Sequence, residues 1–426
     1  MDRLTVVDEI FLRTHRGMGT PIALQGLWRT PDTMDPALLR QIHHELSHGP
    51  LGRRVVRAHV PGARRAWQPT VRTHPLDYLA ADAHRAPLCA VEILPWADTL
   101  GADLDPEYFP GWRLSAAPLA DGGTVVALTC SHALADAQGL IHAVALALRP
   151  LNGEPTEHAS TAVTSTARHQ RRERSADEAR SDWADARTQW ATVLGGTARA
   201  LRNGVPRPPE TIVYSAAPGR TVRSSLLAFD AAQWDSVAAE AGGTPNSLFI
   251  YLVANILWEN GFGDDTITAS LPVDTRDEPR VDNDLAVTEI RIDRVDTPET
   301  IRVKARDAYL RRMSAPAGLP EEILQVLPDR LAYKLSKGAG ERDILCSNIG
   351  TMPDALRTVG PHECTRVAAR AIHPGITDFP RTRLSGYLSR LADTYTLALV
   401  SLDEHESLTA AADRVLSKVG LTAEPW

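Results

Sequence analysis

Cysteine is scarce in this chain. Cys89, Cys130, Cys346 and Cys364 stand far apart with no CxxC pair, which argues against a zinc ribbon and against a disulfide framework. Aromatic residues make up 5%, too few for a surface on which bases stack. A positive balance is missing as well, because 46 Lys and Arg meet 53 Asp and Glu for a formal net charge of −7. Bulk attraction to phosphate backbones is thereby excluded, and no nucleic-acid partner is expected. Short basic runs such as Arg53-Arg54 and Arg171-Arg172 read as solvated faces. Long apolar runs are absent too: the longest, Ser247 to Trp258, is too short for a bilayer and contains Asn255. The opening MDRLTVVDEIFLR carries charges where a signal peptide needs an apolar stretch. These absences predict a cytoplasmic, reduced protein with no transmembrane segment.

What is present is a long chain with an ordinary globular composition. At 426 residues it exceeds one simple core, so two lobes are expected. Residues Ile22, Leu24, Gly26 and Trp28 recur at a spacing of two, which predicts a strand over 21–29. Asp35 then caps a helix with Pro36 at its first position, and Gly49-Pro50 ends it. Segments 112–119 and 124–131 flank Asp121-Gly122-Gly123, a hairpin turn. A helix runs from about Gln138 to Leu148. Between 153 and 180 the composition shifts to Thr, Ser, Arg and Glu, marking a boundary, with a surface helix around 180–194 and a loop at 203–209.

The second half uses the same alphabet. Strands are predicted at 221–229, 266–273, 287–292, 343–348, 366–372 and 394–402. Helices are predicted from Asp230 to Gly242, from Pro245 through Trp258, and at 298–313, 320–336 and 405–418. The fold class is α/β (α+β), divided into a lobe at 1–155, a linker region at 156–210 and a second lobe at 211–426.

The segment Thr124-Val-Val-Ala-Leu-Thr-Cys-Ser-His132-Ala-Leu-Ala-Asp136-Ala-Gln-Gly139 carries the chemistry. A strand delivers His132 at its end, Asp136 follows four residues on, and a helix begins there. An imidazole at a strand mouth in an apolar wall suits proton transfer near neutral pH. The competing reading is a satisfied core histidine with Asp136 as an ordinary helix cap. Cys130 is read as a buried strand residue rather than a nucleophile. His44 and His48 lie one turn apart, but no acidic or cysteine ligand joins them; they read as a solvated face, and no metal is expected.

This segment resembles the HHxxxDG signature of nonribosomal peptide condensation domains, wax ester synthase/diacylglycerol acyltransferases and polyketide-associated acyltransferases, all in the CoA-dependent acyltransferase superfamily. Three other stretches agree in order along the chain. Leu4-Thr-Val-Val-Asp8-Glu-Ile-Phe11-Leu12 is similar to the opening of wax ester synthase-like members. Pro272-Val-Asp-Thr-Arg276 resembles a second-lobe strand carrying an arginine, and Ser347-Asn348-Ile-Gly350 looks like the late SN-x-G strand-turn. Two departures stand out: Ser131 replaces the first histidine, and Ala137 replaces the glycine after the aspartate.

The resemblance implies two chloramphenicol-acetyltransferase-like lobes in a V with a central tunnel. It implies an acyltransferase in which His132 takes the proton of a hydroxyl or amine acceptor attacking an acyl thioester. Asp136 is then structural and pairs with an arginine, for which Arg276 is the candidate. Ser131, Gly139, Ser347 and Asn348 are the expected substrate-binding residues, the last two as tunnel lining. Backbone amides around 132–139, or Ser347 and Asn348, are the candidates for oxyanion stabilisation. No cofactor is bound permanently; acyl-CoA or an acyl carrier protein thioester serves as co-substrate. The partners expected are a small-molecule acceptor and an acyl or peptidyl carrier protein; 168–180 reads as an exposed linker or helix, with a carrier contact as its alternative, and the chain is expected to be a monomer. Two other functions stay open: a free-standing condensation enzyme using carrier-bound units, and an inactive relative acting as a binding module.

Overall fold

The computed structural model describes residues 2–79, 86–153, 169–203, 222–311, 321–336, 341–377, 379–402 and 407–426. The expected loop at 203–209, apart from Asn203 at the end of a helix, and most of the 153–180 boundary segment therefore lie outside the described residues. So does residue 168, and of 169–179 only the helical backbone is described.

Two mixed sheets and two apolar clusters organise the chain, the first cluster packing the first sheet together with second-sheet residues such as Leu226, Tyr387 and Val400. The first runs Arg366–Ile372, Ala23–Thr30, Thr124–Ser131, Trp112–Pro118 and Asp77–Tyr78 in spatial order. Its strands pair antiparallel except the last, which is parallel to its neighbour. Thr124–Ser131 lies buried along its whole length because the sheet continues on both sides of it. Helices Pro36–His48 and Ala137–Leu148 pack their apolar faces on this core.

The second sheet has seven strands: Glu424–Pro425, Arg223–Asp230, Thr394–Ser401, Leu384–Leu391, Ile344–Thr351, Thr266–Asp274 and Leu285–Asp293. Ile344–Thr351 is parallel to both neighbours, and the other pairings are antiparallel. Helix Pro245–Glu259 is buried almost all round, which fits its near-continuous apolar sequence. Thr244 and Ser247 close a capping box at its start, and Pro245 occupies the first turn, where a missing N–H costs nothing.

Two features of this architecture place the site. Arg366–Ile372 comes from the second half of the sequence yet completes the first sheet, Ala23 standing opposite Ile372 on one side and Ser131 on the other. The loop 275–284, between two strands of the second sheet, reaches across to the end of the His132 strand.

The helix expected over 320–336 is divided. Ile323–Val326 and Asp329–Ser336 flank Leu327-Pro328, where Leu327 is extended at ψ 151° as the residue before a proline tends to be. A helix not foreseen in the sequence, Val6–Thr14, begins at a capping box formed by Thr5 and Asp8. Its inner face buries Asp8, Glu9 and Arg13. Arg13 and Arg65 share Asp329 at 3.0 and 2.9 Å, tying this helix to the one at 329–336. No helix among the described residues is long and apolar enough to cross a membrane.

Candidate active site

The strand ending at Ser131 gives way to a tight, buried turn. Ala133, Leu134 and Ala135 are all fully buried. Leu134 N donates to Ser131 O at 2.9 Å, and His132 N donates to Ile22 O at 3.3 Å. His132 itself is half-buried. Its ring stacks on Phe11, centroids 3.7 Å apart and planes 15° from parallel. Its Nδ1 lies 3.1 Å from Asn283 Oδ1. Burial pushes the imidazole below its ordinary pKa of 6.5; its own backbone carbonyl, Asp136 and Asn283 pull the other way. The net direction keeps the ring unprotonated near neutral pH, the state a general base needs.

Asp136 turns away from this ring. It caps helix Ala137–Leu148 by accepting from Gly139 N at 2.8 Å. The Arg276 Nη2 reaches both carboxylate oxygens, at 2.6 and 2.5 Å, and Asp284 N donates to Oδ2 at 3.0 Å. The two side chains are 7% and 8% exposed, so the pair is shielded from solvent. Arg276 also donates to Asp282 O at 3.0 Å and lies 2.9 Å from Asp274. Arg53 adds a third tie: it stacks on Trp67 at 4.1 Å, donates to Leu134 O at 2.6 Å and pairs with Asp282. The turn that presents His132 is therefore held by the second sheet's loop at several points.

The remaining expected site residues receive structural tasks here. Ser131 is 0% exposed; its Oγ accepts from Ala133 N at 3.2 Å and sits 2.7 Å from His15 Nε2. Burial lowers the pKa of His15 to about 4. Gly139 is buried, and a Cβ there would lie 2.4 Å from Val281 O. Glycine is needed for that close approach of backbone. Asn348 is exposed, donates to Asn246 Oδ1 at 2.9 Å and accepts from Gly350 N at 3.0 Å, so it builds a turn. Ser347 is half-buried. The amides of His132, Ala133, Leu134 and Gly139 are all committed, which removes them as oxyanion donors.

Cys130 is fully buried and its thiol is pushed up to about 12, as expected of a packing residue. The ring contact between His44 and His48 recruits no acidic ligand, and no metal-binding cluster occurs among the described residues. A cavity of about 460 Å³ lies beyond the Asp136–Arg276 pair, lined among others by Gln138, His142, Arg149, Arg276 and Arg280. His132 is not part of its wall.

Three residues at His132 were missed by sequence reasoning: Asn283, His15 and the side chain of Phe11. Phe11 and Asp8 lay within the stretch similar to wax ester synthase-like openings, so a signal existed for them. Asn283 and His15 carry none, because only the tertiary fold brings them to the ring.

No family model matches the sequence, and no curated protein matches it. Solved structures do share the fold. The first condensation domain of the CDA synthetase aligns at TM-score 0.60 and 15% identity, covering 98% of this chain and 94% of that one. The wax ester synthase/diacylglycerol acyltransferase from Marinobacter aquaeolei VT8 aligns at 0.58 and 15%, covering 98% of each chain. The nonribosomal peptide synthetase FmoA3 aligns at 0.53 and 18%; here the chain spans 42% of the larger protein's length. These neighbours are members of the CoA-dependent acyltransferase superfamily. The chain has their mixed α/β, condensation-domain-like fold.

Proposed function

We propose that the chain is an acyltransferase that moves an acyl group from a thioester to a hydroxyl or amine, with His132 Nε2 as general base. The observation that carries this reading is the half-buried, unprotonated His132, engaged through Nδ1 and held by a turn that Asp136 and Arg276 brace. The acceptor's proton passes to Nε2 as its oxygen or nitrogen attacks the thioester carbonyl. The tetrahedral intermediate then collapses, the C–S bond breaks, and the imidazolium returns the proton to the departing sulfur. The products are an ester or amide and a free thiol. Juxtaposing the two substrates supplies much of the remaining advantage, so no acyl-enzyme is required.

The donor is acyl-CoA or an acyl carrier protein thioester. The fold shared with a wax ester synthase favours the former, and the fold shared with condensation domains favours the latter. The test is thiol release from purified protein offered CoA and holo-carrier thioesters with pooled alcohols and amines. His132→Ala should lower turnover by roughly 10²–10⁴-fold, the usual contribution of a positioned base. Unchanged turnover in that variant rejects the base. Activity only with the holo-carrier identifies a condensation-type enzyme.

A further inference from the structure

Asn283 is 3% exposed and meets four groups. Its Nδ2 donates to Asp8 Oδ1 at 2.8 Å, to His132 O at 2.8 Å and, more weakly, to Ala133 O at 3.4 Å. All three are acceptors, so the amide has one workable orientation; reversed, its oxygen would face three oxygens. The atom 3.1 Å from His132 Nδ1 is therefore Oδ1. A carbonyl oxygen only accepts, so Nδ1 carries the hydrogen and Nε2 keeps its lone pair. The histidine's own carbonyl acts on the ring in the same sense.

Two residues of helix Val6–Thr14 complete the arrangement. Both Asp8 oxygens are occupied, Oδ1 by Asn283 and Oδ2 by Thr5 N at 2.8 Å, so the carboxylate seats the amide rigidly. Phe11 covers one face of the imidazole and restricts its rotation.

We propose that Asn283, seated by Asp8, is a positioning residue that holds His132 as the Nδ1–H tautomer and so presents Nε2 to the reacting proton. The purpose of the device rests on the acyl-transfer reading above; its geometry does not. The N-terminal helix is thereby part of the working site.

The experiment is ¹⁵N NMR of the full chain with labelled histidine, His132 being assigned through His132→Gln, alongside steady-state kinetics. The neutral wild-type ring should show a protonated Nδ1 and a bare Nε2. Asn283→Ala should populate the Nε2–H form and lower kcat about tenfold or more while leaving KM nearly unchanged, a partial loss of the ~10²–10⁴ that a base contributes. Asn283→Asp keeps an acceptor for Nδ1–H but sets its second oxygen against Asp8 Oδ1, His132 O and Ala133 O, so it should lose the seat and fall short of wild-type kcat. The other titratable groups facing this network, His15 and Asp136 beside His132 and Arg53 beside Asp8, are unchanged in these variants.

Should Asn283→Ala fail to fold, Asp8→Asn replaces it. That variant must turn an NH₂ toward one of two donors, and unseating Asn283 should give the same tautomer change. A wild-type tautomer and wild-type kcat in whichever variant folds would overturn the proposal. A tautomer shift in a protein whose wild type turns over no thioester would support this positioning and reject the acyl-transfer reading.

Discussion

Breaking the Asp136–Arg276 pair is the sharpest test of how His132 is held. Both side chains are more than nine-tenths buried, so removing one partner strands a shielded charge, an effect on the order of 3–5 kcal/mol. The structure says the two single variants differ. Arg276→Met leaves Asp136 with the amides of Gly139 and Asp284, both still donating. Its cost should fall near the low end, ~3 kcal/mol. Asp136→Ala strips the helix cap as well, adding about 1 kcal/mol, and leaves Arg276 the Asp282 carbonyl and, as a charged partner, Asp274, whose side chain is 43% exposed. A sum of ~4–5 kcal/mol follows for that variant. The double variant should cost less than the two singles added, with a coupling of about 2–3 kcal/mol. Urea unfolding of all four proteins, with m-values compared to check that the transition stays two-state, measures this directly. Additivity within ~0.5 kcal/mol would refute the argument that these charges depend on each other.

Gly139→Ala should destabilise the protein by roughly 1–3 kcal/mol, because the added methyl meets the Val281 carbonyl and must push the 281–284 loop aside; thermal melts of the variant check it. The His15 pKa falls from 6.5 to about 4 on folding, so the unfolded chain binds the proton first. Its contribution is intact above pH 6.5 and lost as pH falls toward 4, a penalty of ~3 kcal/mol that His15→Gln should remove. Asp8, raised from 3.8 to about 6, has the opposite sign: its contribution is present at low pH and lost as pH rises through 6. The His15→Gln protein should therefore gain about 3 kcal/mol less stability than the wild type on going from pH 4 to 7, since the lowered His132 and His373 still act in the His15 sense and Asp8 against it; unfolding free energies of both proteins at both pH values decide. Finally, brief alkylation followed by intact-mass measurement should modify exposed Cys89 and spare Cys130 and Cys364, whose thiols burial holds near 12.

Much of the scaffold was legible because local chemistry agreed with the final fold. Asp35-Pro36 and Thr244-Pro245 open helices as their capping chemistry dictates, and Asp121-Gly122-Gly123 joins the two strands it separates. The strand Leu384–Leu391 escaped notice: Ser385, Gly386 and Ser389 dilute its apolar pattern, although six of its eight positions are buried. Gly386 is required there, since a Cβ would lie 2.6 Å from Val253. The helix Val6–Thr14 escaped for another reason. Val6, Val7, Ile10 and Phe11 do recur at helical spacing, but the fully buried residues are Asp8, Glu9, Leu12 and Arg13, so the inner face is largely charged and the apolar pattern does not mark it. At the site, Asp136 and Arg276 could be paired in advance only through the resemblance. Asn283 could not be singled out, because its role lies wholly in four contacts made across the fold.

The strand Arg366–Ile372 has a bearing on how the polypeptide reaches its native state. Ala23–Thr30 needs that distant segment on one flank, so the sheet bearing His132 keeps an open, pairing-hungry border until residues 366–372 have been made. Fragments ending before residue 366 should aggregate rather than behave as an autonomous unit. Assembly should be slow, as expected where partners are separated by most of the chain.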